Sequence, residues 1–234
     1  MSLRKRVVIL ISGRGSNMAA LIDAAKSPDF PAEIVGVISN RADAKGLAIA
    51  AAKGISGSVI PSKGVSREDH DAAIDRALEA AKADIVCLAG YLKLLTDGFV
   101  TKWQGRMINI HPALLPLFKG LNTHERAIGA GVRIHGCTVH FVTPEMDEGP
   151  IIAQSAVPVL ISDDAEMLGA HVLASEHRLY PLALALLATG KVRMESGRAV
   201  FSDFADEPAS GRVISAPMPK PQHPDIESLA RFTP

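Results

Sequence analysis

Residues 7–12 read VVILIS, an apolar run with no polar side chain until its last position. A strand that faces water on one side alternates apolar and polar residues. An unbroken β-branched run is instead the pattern of a strand buried on both faces. Residues 33–39 (EIVGVIS) and 84–89 (DIVCLA) carry the same signal. Helix-forming stretches separate them. Residues 43–53 are alanine-rich and end at Gly54, a good C-terminal stop. Residues 66–82 are amphipathic, with Ser66 as N-cap and acids in the first turn. A short strand is expected at 58–61 and a short helix ending near Trp103. Doubly buried strands need helices over both faces. The alternation therefore predicts an α/β fold, a doubly wound, mostly parallel sheet flanked by helices.

In such sheets ligands sit at the carboxyl ends of the strands. Two stretches with polar chemistry fall there. The loop SGRGSN, residues 12–17, leads into helix-forming MAALIDAAKS. Glycines let backbone N–H groups approach an anion, and a helix N-terminus favours negative charge. The spacing is not G-x-G-x-x-G, because Met18 stands at the third glycine position, and no G-K-[ST] follows. A dinucleotide is disfavoured and a single phosphate remains compatible; a ligand-free glycine turn is the plainer alternative. Arg14 reads as a solvated loop residue. The second stretch is MINIHPALLP, residues 107–116. Ile108 and Ile110 point one way, Asn109 and His111 the other. An amide and an imidazole side by side can hold a developing oxyanion. They can also be strand-end groups satisfied by nearby backbone, and these residues alone leave both readings open.

Further along, His124-Glu125 begins like H-E-x-x-H, but residue 128 is Ile, so a zinc-peptidase helix fails. Residues 136–142 (GCTVHFV) form a strand with Thr138 and His140 on one face, ending in the acidic turn TPEMDEGP around Asp147. Glu145 and Glu148 read as solvated turn charges. Residues 150–159 pair back as a hairpin, which puts one antiparallel strand near the C-terminal end of the sheet. Residues 163–190 are helical, with Pro181 expected to kink or restart the helix and Glu176 placed on an exposed face. A small hairpin follows. From Asp203 the chain carries six of its fifteen prolines. That divides it into a domain over 1–202 and a Pro-rich tail over 203–234.

Lys+Arg and Asp+Glu are both 25, which argues against a non-specific nucleic-acid binder. Cys87 and Cys137 lie in apolar runs and read as buried free thiols. The longest apolar stretch, 182–188, is too short to cross a bilayer, and the N-terminal run is too short for a signal peptide. A cytoplasmic protein without membrane attachment is the expectation.

The segments LISGRGSN, LAGYLKLL, NIHPALLPLFKGLNTHERAI, GCTVHFVTPEMDEGPIIAQ and EHRLYP, in this order, resemble the motifs of phosphoribosylglycinamide formyltransferases, folate-dependent enzymes of purine biosynthesis. The resemblance runs from about residue 7 to 200 and implies a doubly wound sheet. It implies attack of the amine of glycinamide ribonucleotide on the formyl group of 10-formyltetrahydrofolate, with no metal. The catalytic residues would be Asn109, His111 and Asp147, with the Asp147 carboxylate favouring a charged His111. The substrate phosphate would sit on Gly15, Ser16 and Asn17, and Glu176 would contact the amine side. Leu173 stands where the family often has a polar residue. The folate would meet Arg67, Leu92, Lys93, Leu94, Leu95, Asn109, Thr143, Glu145, Met146 and Asp147, with Lys93 a rim charge. The family also suggests a cis Leu115-Pro116 bond. A homodimer is left open.

Three alternatives share part of this pattern. Methionyl-tRNA formyltransferase carries a further domain that helps bind tRNA, whereas the stretch after Asp203 is about thirty residues and slightly acidic. Formyltetrahydrofolate hydrolase has a regulatory domain before the catalytic one, and the first strand here begins at Val7. A non-catalytic nucleotide- or folate-binding module would not need Asn109, His111 and Asp147 together.

Overall fold

The computed structural model describes residues 4–202, so the expected tail lies outside the described residues. A seven-stranded sheet holds β1 (Lys5–Ile11), β2 (Ala32–Ser39), β3 (Gly57–Val59), β4 (Ile85–Leu88), β5 (Met107–His111), β6 (Ile134–Phe141) and β7 (Ile151–Pro158). Their order is β3-β2-β1-β4-β5-β6-β7. Strands β1 to β5 run parallel to one another, and β6 runs antiparallel to both β5 and β7. The expected sheet and its single antiparallel strand are both present. The helices are α1 (Ser16–Ala25), α2 (Lys45–Ala52), α3 (Arg67–Ala80), α4 (Asp97–Lys102), α5 (Thr123–Gly129) and α6 (Ala165–Ala188). A separate hairpin pairs β8 (Val192–Glu195) with β9 (Arg198–Phe201).

The unbroken apolar run of β1 is explained by two cores. Val7, Ile9 and Ile11 join the larger cluster, with Leu21 of α1 and Leu168, Val172 and Leu184 of α6. Val8 and Leu10 face the other way, with Ile74 and Leu78 of α3 and Phe99 and Val100 of α4. Strand β5 divides in the same manner. Ile108 and Ile110 belong to the larger core, while Met107 packs with the α4 cluster. Asn109 and His111, two and four residues past Met107, share its face of the strand. Ser66 caps α3 as expected, its hydroxyl accepting from the Asp69 N–H at 3.0 Å. Cys87 and Cys137 are buried free thiols.

The helix does not restart at Pro181: α6 runs as one helix over 24 residues with the proline inside it. Proline removes one backbone donor, and the flanking turns are held by the buried Leu179, Tyr180, Ala183 and Leu184. Glu176 is not on an exposed face: it is 5 % exposed, turned toward α1.

Candidate active site

The antiparallel pairing of β5 with β6 sets Asn109 opposite His140 and His111 opposite Thr138. Buried His140 is locked between two partners. Its Nδ1 lies 2.8 Å from the Phe141 carbonyl, which can only accept, so Nδ1 carries the proton. Its Nε2 then accepts from Asn109 Nδ2 at 3.1 Å. Burial holds the imidazole below its ordinary value, in keeping with this neutral tautomer. The amide of Asn109 is thereby oriented, and its second Nδ2 hydrogen is left for another acceptor. The sequence shows His140 only as a polar residue on a strand. Its role rests on a cross-strand register that no local pattern encodes.

His111 is 5 % exposed. Its Nε2–H donates to the Phe118 carbonyl at 3.0 Å, and its Nδ1 faces Asp147 Oδ2 at 3.5 Å. Asp147 sits in the left-handed region with φ 56°, a conformation that aspartate tolerates better than most residues. Its Oδ2 accepts from the Gly120 N–H at 2.8 Å, and its Oδ1 is 3.8 Å from His140 Nε2. Two loops therefore close over the end of β5, residues 112–122 and 142–150. A Lys119–Glu148 ion pair at 2.8 Å ties them again at the surface. The Leu115-Pro116 bond is cis. Beneath it, the Thr138 hydroxyl donates to the Ala113 carbonyl at 2.7 Å and accepts from the Leu115 N–H at 3.0 Å.

A second group of polar residues lies at the end of β1. Helix α1 starts after Gly15, at φ 74°, with no side-chain cap and no acid in its first turn. Its first N–H groups therefore suit an anion. The loop is braced by α2. The Gly46 N–H donates to the Gly13 carbonyl at 3.0 Å, and a Cβ on Gly15 would stand 2.7 Å from Gly46 Cα. Gly46 was not legible as part of the site, because only the approach of α2 makes it necessary. Asn17 Nδ2 donates to Glu176 Oε2 at 2.7 Å, linking residues 159 apart in sequence.

Burial pushes the Glu176 carboxyl up from its ordinary 4.5, and the Asn17 donor opposes this in part. A carboxylate whose folded value is raised destabilises the native state wherever the unfolded chain would ionise it. The cost is absent below about 4.5, grows as pH rises from there to the folded value, and is constant above it. Glu176→Gln is therefore expected to melt above wild type at neutral pH and level with it in acid. Thermal melts across pH check this, and a constant difference would contradict it.

The remaining predicted residues lie around these two groups. Arg67 is exposed at the first position of α3, and Leu92 and Leu94 are 75 % and 59 % exposed. Lys93 and Leu95 are half-buried, and Leu95 packs on the smaller core. Their loop is held at both ends by neighbouring buried residues of α3. His70 Nε2 meets the Tyr91 hydroxyl at 2.7 Å, and Asp71 Oδ2 accepts from the Thr96 N–H at 2.6 Å. The Ser12 hydroxyl accepts from the Leu92 N–H at 2.8 Å, tying this loop to the end of β1. Thr143 is half-buried, while Glu145 and Met146 project into solvent. Leu173 is half-buried, one turn before Glu176. Among the described residues, the side chains of Arg67, Lys93, Glu145 and Met146 lie outside the hydrogen bonds that join the two polar groups. Among the described residues no His/Cys/Asp/Glu cluster could hold a metal, and no helix is long and apolar enough to cross a membrane.

Residues 5–184 match the formyl transferase family. Phosphoribosylglycinamide formyltransferase of Haemophilus influenzae is 42 % identical over 88 % of this chain and 98 % of its own. The trifunctional purine biosynthetic protein adenosine-3 of Bos taurus is 51 % identical over 83 % of this chain but only 20 % of its own length. The chain thus spans about a fifth of such trifunctional relatives. The crystal structure of phosphoribosylglycinamide formyltransferase from Brucella melitensis superposes with a TM-score of 0.79, at 53 % identity, covering 91 % of this chain and all of that one. With its sheet order, its two loops over the end of β5 and this degree of likeness, the chain belongs to the formyl transferase family.

Proposed function

We propose that the protein transfers the formyl group of 10-formyltetrahydrofolate to the primary amine of glycinamide ribonucleotide, a step of purine biosynthesis. The observation that carries this reading is the approach of His111, from β5, to Asp147, from the turn between β6 and β7, with Asn109 joined to the same turn through His140. Three such groups around one strand end are more than a binding module requires.

The amine nitrogen attacks the formyl carbon, and the carbonyl oxygen gains negative charge. The free Nδ2 hydrogen of Asn109 donates to that oxygen. His111 spends Nε2 on Phe118, so its Nδ1 edge is the one that meets the reacting groups. The attacking amine must lose a proton and the leaving folate nitrogen must gain one. Asp147, whose Oδ2 lies 3.5 Å from His111 Nδ1, takes the proton from the amine and returns it to the folate nitrogen through water. Collapse of the tetrahedral intermediate releases tetrahydrofolate. The first N–H groups of α1, at Ser16 and Asn17, take the substrate phosphate, and Glu176 takes the amine side. For the folate, Arg67 supplies a cation for its carboxylates. Leu92, Lys93, Leu94 and Leu95 face its rings, with Thr143, Glu145 and Met146 on the opposite wall.

The test is an assay of the purified protein with 10-formyltetrahydrofolate and one of three acceptors: glycinamide ribonucleotide, water or charged initiator tRNA. Formylated glycinamide ribonucleotide is the expected product; turnover with only water or tRNA would overturn the reading. Asn17→Ala keeps the backbone N–H but removes the Nδ2 donor that holds Glu176, so it should raise KM for glycinamide ribonucleotide about 10-fold or more, the worth of a hydrogen bond to a charged group, with KM for the folate unchanged. Equal effects on both would remove the assignment of Asn17 and Glu176 to the glycinamide ribonucleotide side.

A further inference from the structure

We infer that Tyr180 is a positioning residue that sets Asn109 and Glu176 at a fixed separation; this rests on the formyl-transfer reading above. Tyr180 is fully buried on α6. Its hydroxyl donates toward two carbonyls on adjacent strands, Leu88 at 2.9 Å and Ile108 at 3.1 Å.

The place of these carbonyls matters. The Ile108 oxygen belongs to the peptide group that carries the Asn109 nitrogen. Leu88 is the last residue of β4 and the register partner of Asn109. One phenol hydrogen is thus shared across the β4–β5 seam directly behind the proposed oxyanion donor. Carbonyl oxygens have two lone pairs, so this contact adds to the ladder rather than replacing it.

Glu176 stands four residues before Tyr180 and shares its helix face. It reaches α1 through Asn17 at 2.7 Å. A helix packed only by apolar contacts can slide or roll over a sheet with little penalty. A buried hydroxyl with two fixed acceptors cannot, since leaving its O–H unpaired is costly. Tyr180 therefore registers α6 against β5. The carboxylate on the amine side of the substrate and the amide on the formyl oxygen are held to one frame.

The test compares Tyr180→Phe with Ala183→Gly, a buried change on the same helix that touches neither carbonyl. Tyr180→Phe should lower kcat about 10-fold or more with KM for both substrates within about 2-fold, as misplacement of an oriented group does. Ala183→Gly, at a similar loss of Tm, should leave kcat near wild type. Equal kcat losses for the two variants would reduce Tyr180 to a core residue and overturn the inference. An inactive wild type would overturn the functional reading instead.

If Tyr180→Phe does not fold, labelling with 3-fluorotyrosine decides, because the chain has only two tyrosines. The fluorine resonance of residue 180, assigned against Tyr91→Phe, should shift when glycinamide ribonucleotide binds. An unchanged resonance at saturation overturns the proposal.

Discussion

Asp147→Asn should lower formyl transfer by about 10²–10⁴-fold, the range for losing an acid–base group, while the fold persists. The substitution is close to isosteric. Asparagine tolerates the left-handed backbone at φ 56° as well as aspartate does. Its amide oxygen can still accept from the Gly120 N–H, which Asp147 now holds at 2.8 Å. What is lost is the negative charge facing His111 Nδ1 and the capacity to take a proton. Steady-state kcat, read beside a thermal melt, separates these effects. Turnover at the wild-type rate would remove Asp147 from the proposed proton route. A collapse in Tm would show that the carboxylate holds the loops rather than the chemistry.

The largest loss of stability is expected from Gly149→Ala. A Cβ there would lie 1.7 Å from the Phe141 oxygen and 2.8 Å from its carbon, both backbone atoms that cannot swing aside. Overpacking of this kind costs about 3 kcal/mol or more, because β6 and β7 must move apart. The damage reaches the site, since that same Phe141 oxygen holds the proton of His140 Nδ1 at 2.8 Å. Urea denaturation measures the loss. A variant with the wild-type midpoint would contradict the packing between Gly149 and Phe141.

Much of the framework was legible because short-range rules govern it. A doubly buried strand must be apolar throughout, so β1, β2 and β4 announced themselves. The Ser66 cap could be read because its partner is three residues away. The polar face of β5 followed from the two-residue period of a strand. By contrast, the expected restart at Pro181 does not occur, because the local rule against proline is outweighed by packing on both sides of it. Glu176 misled for a related reason. A carboxylate inside a helix belongs in water unless a distant donor meets it, and Asn17 lies 159 positions away. Gly46 gave no signal, and His140 showed only as a polar residue on a strand. One is required by the approach of a second helix and the other by the register of an antiparallel pair.

The sequence by itself determined the class of sheet, the strand ends where polar residues collect, and the stretch that carries Asn109 and His111. These follow from periodicity and side-chain chemistry within a dozen residues. Only the tertiary structure decided which nitrogen of His111 faces Asp147, how His140 turns the Asn109 amide, and that Glu176 is buried against Asn17. Those depend on contacts between segments whose separation along the chain leaves no periodic trace, and whose geometry is fixed only when the two cores close.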